Sequence, residues 1–329
     1  MTKVLIFAEH LGTGLNASAR EAIFFGRSLA DAMGGELATV LLGPGSEVAA
    51  KEAIACGASQ AFTFGDPVIK EYHVETYLHA ICVADEQYNA DIVVLPFNRK
   101  GKDLIGRLAT RLCAAAITEV IDFKVEENNP RWVRPIYGDK AYGVYTANRQ
   151  KVVVGIRPKS QEQAVANQDL TGTIIPLNEK IPEDIVVARL VEKIEASLSG
   201  VRLEDARIIV SGGRGLGGTE GFEDVKALAD VLGGAVGATR AACDAGWVAS
   251  SLQVGQTGAV VAPDLYIAVC ISGASQHLSG ITNAKTVVAI NNDSEAPIFK
   301  RANLGVVADY KTVLPALINE LKKKLGITI

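Results

Sequence analysis

The sequence predicts an α/β protein built from two doubly wound domains. Short segments rich in β-branched and apolar residues alternate with longer segments in which apolar residues recur every three or four positions. This alternation predicts parallel strands joined by right-handed helical crossovers. The chain has 329 residues, more than the usual size of one domain, about 100 to 200 residues. The alternation starts again near residue 207, after a polar interruption, so we expect two domains.

In the first domain, four short apolar segments predict buried strands. They lie at residues 4–7, 38–42, 61–64 and 92–95, and each is continuously apolar, as in a parallel sheet covered on both faces. Residues 17–33 and 71–88 predict helices between them. The apolar side chains of the second helix recur at spacings of three and four, which places them on one face.

The end of the first domain has a different pattern. Residues 121–158 contain WVRPIYG, YGVYT and QKVVVGIRP, separated by short polar turns, and we expect antiparallel strands there. A polar stretch follows at residues 159–170, and residues 183–198 predict a helix. We place the domain boundary near Ser199, which gives domains of residues 1–198 and 199–329.

The second domain repeats the strand and helix alternation. Residues 208–210 predict a strand, followed by a glycine-rich loop and a helix at residues 222–232. Further strands are expected at residues 235–238, 265–270, 286–290 and 305–307. A helix at residues 313–325 closes the domain.

Composition and charge exclude several classes of protein. The chain is 48% hydrophobic and 21% charged, and its net charge of −4 argues against a nucleic-acid binder, which normally carries a basic surface. We expect the basic runs at residues 99–102 and 322–324 to be solvated. The five cysteines have no CxxC spacing, which favours reduced thiols and no metal site. With no apolar run near 18 residues and no signal-peptide pattern, we expect a cytoplasmic protein without membrane insertion.

The loop after the first strand of the second domain has the pattern GxGxxG, at residues 213–218. Glycines let a backbone approach a phosphate, and the helix that follows would offer free N–H groups and its positive dipole end. Arg214 adds a cation to this loop. NAD-binding proteins place an acidic residue after the second strand, but here Arg240 occupies that region, which disfavours an ordinary NAD site.

Three other strand-end loops carry polar side chains. GATR at residues 237–240 brings together Thr239 and Arg240, either as a helix N-cap and a solvated arginine or as ligands of a phosphate and a ring. QVGQTG at residues 253–258 and SGASQH at residues 272–277 are glycine-rich turns. Because ligands of open α/β sheets bind beyond the carboxyl ends of the strands, we expect these loops to line one crevice.

Polar residues also follow the last two strands. Asn291 and Asp309 each come directly after an apolar strand. Turn formation explains either residue, and both together could hold the ribose or adenine of a nucleotide. His277, in the SGASQH loop, is one of four histidines and is either a helix-start residue bonded to backbone or a cofactor ligand. No spacing supports a nucleophile or a metal mechanism.

Together these segments resemble a known family. LYIAVCISGASQHLSGITNAKTVVAINND closely resembles the signature of the electron transfer flavoprotein alpha subunit, and SGGRGLGG, GATRAACDAGW, QVGQTG and EAPIF occur around it in that family's order. The resemblance is specific over residues 207–310. In the N-terminal half it is carried by the fold pattern and by the opening KVLIFAEH.

The resemblance implies a cofactor and partners. The second domain would be a Rossmann-like domain that binds FAD, and the first domain would contact a homologous beta subunit in a heterodimer. The protein would carry electrons from acyl-CoA or other dehydrogenases, or from a beta-subunit flavin reduced by NADH, to a quinone- or ferredoxin-linked acceptor. It would be a carrier rather than a substrate-converting enzyme, except in members whose heterodimer oxidises NADH by flavin bifurcation.

The resemblance also assigns residues at the phosphate and flavin end. Arg214 and Thr239 match positions near the FAD phosphates, and Arg240 matches a position beside the flavin ring. Residues 254–257 match a turn whose hydroxyl bonds flavin N5. Reduction develops negative charge over N1 and the C2 oxygen, so nearby donors would stabilise the reduced flavin.

The remaining matches surround the cofactor. Residues 272–277 match the loop that wraps it, with His277 at the flavin C2 carbonyl, and Asn291 and Asp309 match the adenosine end. The predicted cofactor-binding residues are Arg214, Thr239, Arg240, Val254, Gly255, Gln256, Thr257, Ser272, Gly273, Ala274, Ser275, Gln276, His277, Asn291 and Asp309.

Three positions depart from the family pattern. Ala259 stands where lysine is usual, Cys270 where glycine is usual, and Ser275 where isoleucine is usual. Two alternatives remain open. One is an NADP-linked dehydrogenase that uses Arg240 for the 2′-phosphate and His277 as acid or base. The other is an interaction subunit whose cofactor site has decayed through Ala259 and Cys270.

Overall fold

The computed structural model describes residues 1–127, 129–186, 188, 191–192, 203 and 206–326. The chain forms two compact units, Met1–Ile194 and Glu195–Ile329. The boundary that we predicted near Ser199 lies outside the described residues. The helix predicted at residues 183–198 is not formed in its described part: Glu183–Ile185 is a 3-10 turn, and residues 186, 188, 191 and 192 are not helical. The rest of that prediction also lies outside the described residues.

The first unit contains ten strands and four helices among its described residues. In chain order they are β1 (Lys3–Phe7), α1 (Ala17–Ala32), β2 (Glu36–Leu42), α2 (Ser46–Ala55), β3 (Gln60–Phe64), α3 (Val74–Tyr88), β4 (Ile92–Pro96), α4 (Arg99–Arg111), β5 (Ala115–Val120), β6 (Asp122–Glu126), β7 (Asn129–Ile136), β8 (Ala141–Tyr145), β9 (Val152–Ile156) and β10 (Thr173–Pro176). Seven of these strands form a parallel sheet in the order β10-β3-β2-β1-β4-β9-β5. Buried residues of α1 and α2 pack on one face and those of α3 and α4 on the other, which makes the unit doubly wound, as predicted.

Three details differ from the sequence-based expectation. Strand β9 is not antiparallel: it runs parallel to β4 and β5, because its five residues are all buried and a strand covered on both faces belongs inside the parallel sheet. Strands β6, β7 and β8 do form the expected antiparallel sheet. The helices α2 and α4 and the strands β5 and β10 were missed. The basic run that begins α4 is not fully solvated, since the Lys100 ammonium pairs with the buried Glu9 carboxylate at 3.1 Å.

The second unit contains a five-stranded sheet. Its elements are β11 (Ile208–Gly212), α5 (Glu220–Leu232), β12 (Ala235–Ala238), α6 (Arg240–Asp244), β13 (Leu265–Val269), α7 (Ser275–Leu278), β14 (Thr286–Asn291), β15 (Leu304–Val307) and α8 (Tyr310–Leu325). All neighbouring strands are parallel, in the order β12-β11-β13-β14-β15. Buried residues of α5 and α8 cover one face of the sheet. The other face is covered by side chains from the loops around residues 254–261, 281–284 and 296–298.

The strand order fixes the place of a ligand site. In the sheet, β12 lies next to β11 on one side, and β13 lies next to β11 on the other side. The loops after β11 and β13 therefore leave in opposite directions, and a crevice opens at the carboxyl ends of the strands. Within the described residues, none of the helices combines the length and apolar character that crossing a bilayer requires.

Candidate cofactor site

Backbone hydrogen bonds join the strand-end loops of the second unit into one continuous rim. Each loop donates to the end of a neighbouring strand or loop. The donors and acceptors are Thr239 N to Gly212 O at 3.0 Å, Gly213 N to Val269 O at 2.9 Å, Cys270 N to Ile290 O at 2.8 Å, Val254 N to Ala238 O at 2.9 Å and Ala308 N to Asn291 O at 3.1 Å. The loops predicted to line one crevice are therefore brought together.

The glycine loop after β11 packs tightly against the end of β13. A side chain at Gly213 would collide with the backbone of Cys270, and a Cβ at Gly215 would lie 3.0 Å from the Cys270 Cβ. Arg214 begins a 3-10 turn and is exposed. The first turn of α5 carries Glu220 and Glu223, whose charges already offset the positive end of that helix. An anion at this loop would therefore be held by Arg214 and the loop N–H groups more than by the α5 dipole.

A cleft of about 260 Å³ opens beside this loop. Its walls are residues 215–217, Cys270, Asn292 and residues 308–311. Burial raises the pKa of the Cys270 thiol to about 11, so the thiol is neutral at physiological pH. The Cys270 backbone has a φ of +53°, a left-handed conformation that favours glycine, and this accounts physically for a glycine preference at that position.

Thr239 and Arg240 stand at the end of β12 in different environments. The Thr239 hydroxyl oxygen is buried and has no hydrogen-bond partner in the part of the chain that the structure describes. Its side chain does not cap α6, which removes the alternative explanation we gave for this residue. Arg240 is exposed, and its Nε lies 3.3 Å from the Asp244 carboxylate. Thr239 is thus available to a ligand, and Arg240 is held at the surface of α6.

The turn at residues 253–259 forms the next wall. Gly255 has a φ of +145°, and a Cβ there would lie 2.8 Å from the Gln276 carbonyl oxygen. That carbonyl accepts a hydrogen bond from Gln256 N at 2.7 Å, which fastens the turn to α7. The Gln253 side chain donates to the Thr257 hydroxyl oxygen at 2.8 Å. Thr257 therefore keeps its own O–H free to donate.

The loop from Ser272 to α7 is fixed by its neighbour. Gly273 has a φ of +87°, and a side chain there would collide with Ile298 N, whose N–H donates to Ser272 O at 3.0 Å. Ala274 is exposed and precedes the short helix α7, whose first residues are Ser275, partly buried, and Gln276, exposed. Glycine is required at residue 273 by both conformation and space.

His277 is the buried polar residue of this loop, with 6% exposure. Its Nε2 atom lies 2.9 Å from the Tyr266 hydroxyl, so this nitrogen bonds a side chain and not the backbone. Its Nδ1 atom is buried without a hydrogen bond of ordinary geometry in the described residues. Burial lowers the pKa of His277 to about 4, with the Val254 backbone opposing part of the shift. The ring is therefore neutral at pH 7.

Asn291 and Asp309 fulfil the turn-forming role. The Asn291 amide donates to Ile271 O at 3.0 Å, and its carbonyl oxygen accepts from Asp293 N at 3.0 Å. Asp309 is the N-cap of α8 and accepts from Lys311 N at 3.0 Å. Asn291 holds the loop between β13 and β14 together, while Asp309 also lines the cleft.

Two site residues were not among the predicted cofactor-binding residues. Tyr266, in β13, bonds His277, and Gln253, the first residue of the QVGQTG turn, bonds Thr257. Tyr266 is fully buried, and in the sequence it resembles any core residue of a strand. The available signal was its hydroxyl, because a buried tyrosine O–H usually needs a partner.

These features suit a nucleotide cofactor. Glycines remove side chains where loops cross, and two buried polar atoms, Thr239 Oγ1 and His277 Nδ1, lack a partner among the described residues. Buried polar groups are nearly always hydrogen-bonded, so a bound group is their natural partner. Fold and site define an α/β protein that binds a phosphate-bearing cofactor at the carboxyl edge of its second sheet.

Comparison with known proteins identifies the class more closely. Residues 4–181 match the electron transfer flavoprotein domain and residues 202–282 match the electron transfer flavoprotein FAD-binding domain. The chain is 40% identical over 321 residues to the electron transfer flavoprotein subunit alpha of Bacillus subtilis, with 98% of each chain covered. It is 38% identical over 322 residues to the same subunit of Thermoanaerobacterium thermosaccharolyticum, covering 97% of this chain and 98% of that one.

A third relative carries another name. The protein FixB of Azorhizobium caulinodans is 34% identical over 329 residues, covering 98% of this chain and 89% of that protein. The chain therefore belongs to the electron transfer flavoprotein alpha subunit family, and its cofactor is FAD. The resemblance inferred from the sequence is confirmed.

Proposed function

We propose that this chain binds FAD through its second unit, forms a heterodimer with a beta subunit, and transfers electrons between dehydrogenases and a downstream acceptor. The observation that carries the proposal is the pair of unpartnered buried atoms, Thr239 Oγ1 and His277 Nδ1, on two loops of one rim. When bound, FAD supplies reversible one- and two-electron chemistry. The chain supplies the binding groups and the local electrostatics.

The phosphate end of the cofactor is assigned to the first two loops of the rim. Arg214 is exposed on the glycine loop, and Thr239 has a buried hydroxyl without a partner among residues 206–326. A cation and a hydroxyl donor are suitable ligands for a diphosphate. Asp309 lines the adjoining cleft, and we assign the adenosine end to that cleft.

The flavin ring is assigned to the turn at residues 254–257 and to α7. Thr257 can donate its O–H to a ring nitrogen because Gln253 already donates to its oxygen. His277 is neutral and buried, so it can donate one N–H to a ring oxygen without bringing a charge of its own. Arg240 is exposed at the edge of the rim and would add a positive charge near the ring. Each of these donors would favour the reduced cofactor.

The first unit, which we assign to residues 1–198, is proposed to contact the beta subunit. Its antiparallel sheet β6-β7-β8 exposes alternate apolar side chains of β8, with Tyr142 at 63% and Val144 at 54% exposure. Exposed apolar side chains grouped on one strand are typical of a surface that another chain covers. All five cysteines are free, which supports a reducing compartment and so a cytoplasmic location.

We further propose that electrons come from acyl-CoA or other dehydrogenases, or from a beta-subunit flavin reduced by NADH, and pass to a quinone- or ferredoxin-linked acceptor. The unpartnered atoms and tight glycine contacts favour an intact cofactor site over a decayed one. The family membership favours a flavoprotein over an NADP-linked dehydrogenase. The beta subunit would determine which electron donor is used.

The test is co-expression with its beta subunit, followed by counting the flavins of the purified heterodimer and titrating it with NADH. We expect a yellow complex in which FAD is reduced by a dehydrogenase or by NADH. Two FAD molecules with reduction by NADH would select the bifurcating type, and one FAD without it the simple carrier. A colourless heterodimer would refute the proposal.

A further inference from the structure

Tyr266 is placed to control His277. It is the second residue of β13, is fully buried, and its hydroxyl is 2.9 Å from His277 Nε2. Within the described part of the chain this is the single hydrogen bond of ordinary geometry made by the imidazole, since Nδ1 has none. The two rings are 6.0 Å apart and tilted, so the contact is made by the hydroxyl and not by ring stacking.

The direction of this hydrogen bond decides what His277 can do. A neutral imidazole has one N–H, and its other nitrogen can only accept. If His277 donated from Nε2 to the tyrosine oxygen, Nδ1 would be an acceptor and would repel a carbonyl oxygen. If the tyrosine donates to Nε2, the proton must be on Nδ1, which then becomes a donor.

The chemistry of the two groups favours the second arrangement. Burial raises the pKa of Tyr266, so the phenol keeps its proton at neutral pH. A phenol O–H is a stronger donor than the N–H of a neutral imidazole, and an imidazole nitrogen is a stronger acceptor than a phenol oxygen. Tyr266 is therefore the donor, and Nε2 of His277 is the acceptor.

We propose that Tyr266 is a positioning residue that fixes His277 in the tautomer with its proton on Nδ1, and so makes His277 a hydrogen-bond donor toward a carbonyl oxygen of the bound flavin. The proposal rests on the function proposed above, because it assigns the ligand of Nδ1 to FAD. Tyr266 and His277 then form one directed chain of donors that ends at the cofactor.

The first measurement is made on the FAD-free protein. Long-range ¹H–¹⁵N correlation spectra separate the two histidine tautomers, and the His277 signal is identified by its loss in His277→Gln. We expect the Nδ1-protonated pattern in the wild type and a mixture, or the opposite tautomer, in Tyr266→Phe. A wild-type spectrum with the proton on Nε2 would overturn the proposal, and so would an unchanged tautomer in Tyr266→Phe. This readout stands even if the chain binds no FAD.

The second measurement is the potential of the bound flavin in the heterodimer. Tyr266→Phe is expected to weaken stabilisation of the reduced flavin about tenfold, a fall of roughly 59 mV in a one-electron potential. In the His277→Ala background the same change should have no further effect. The matched control is Tyr88→Phe, which removes another buried tyrosine hydroxyl in α3 of the first unit and should leave the potential unchanged. An equal fall in the His277→Ala background would show a role that does not pass through His277.

If Tyr266→Phe does not fold, the wild-type tautomer decides the proposal by itself. The Nδ1-protonated pattern supports it, and a proton on Nε2 refutes it.

Discussion

Replacing Thr239 by valine should change FAD affinity and the stability of the FAD-free protein in opposite directions. The Thr239 hydroxyl is buried and has no partner among the described residues. A buried polar group that makes no hydrogen bond costs roughly 1–3 kcal/mol. Valine keeps the branched shape and removes that group. The FAD-free protein should therefore become more stable, by about 1 kcal/mol, after the imperfect fit of valine is taken into account.

The effect on FAD should have the opposite sign. A hydrogen bond to a charged phosphate contributes about 1.5–3 kcal/mol, so Thr239→Val should weaken FAD binding roughly 10- to 100-fold, at 1.4 kcal/mol per tenfold change. Stability is measured as the urea midpoint of the FAD-free protein. Affinity is measured by titrating FAD fluorescence.

Thr39→Val provides the matched control. The Thr39 hydroxyl, in β2 of the first unit, is also buried and unpartnered in the described structure. Its removal should raise stability in the same way and leave FAD affinity unchanged. If Thr239→Val lowered the stability of the FAD-free protein and left FAD affinity as it was, Thr239 would be a structural residue and the phosphate assignment would be wrong.

Three further predictions concern the same rim. Because the His277 pKa of about 4 in the folded protein lies below the ordinary value near 6.5, the unfolded chain binds more protons between these values. The free energy of unfolding of the FAD-free protein should therefore fall by about 3 kcal/mol as the pH drops from 6.5 to 4. This pH-dependent loss, measured from urea midpoints, should be absent in His277→Gln. Gly255→Ala should lower the free energy of unfolding by roughly 1–3 kcal/mol and abolish FAD binding. The control is Gly233→Ala, at a residue with a φ of +63° and open space around it, which should lower the free energy of unfolding by only about 1–2 kcal/mol and retain FAD. Equal effects of the two substitutions on FAD binding would show that the Gly255 contact with Gln276 has no role. Cys270→Gly should relieve a backbone strain of about 1–2 kcal/mol in the left-handed conformation, but glycine also has greater freedom in the unfolded chain. Because the two effects offset each other, stability should be nearly unchanged, and FAD should bind at least as tightly. Weaker FAD binding would show that the thiol contacts the cofactor.

Much of the fold could be predicted because a strand that is buried on both faces of a sheet has a continuously apolar sequence. Continuous apolar segments such as Val152–Ile156 are unmistakably strands. The direction of that strand could not be predicted locally, because its neighbours β4 and β5 lie far from it in the sequence. Helix α4 escaped because its first turn is basic and polar, and its N-cap, Asn98, is recognisable only once the Gly101 N–H is seen to donate to it.

The site could be predicted at the level of loops but not of side-chain partners. Glycines and polar residues after strands indicated the rim, because parallel strands must deliver their ends to one edge. The contact of Tyr266 with His277 joins a strand to a helix eleven residues later, and no spacing rule predicts it. Glu220 and Glu223 could be read from the sequence. Their effect on anion binding could not be predicted, because it depends on the residue at which α5 begins.

The central claim is that the rim of the second unit holds FAD. The most direct measurement counts the FAD released on denaturation from the wild-type heterodimer and from the Gly255→Ala heterodimer, purified side by side. The account predicts that the variant loses one FAD per heterodimer relative to the wild type while the two subunits stay together. An equal FAD content in both proteins would contradict it.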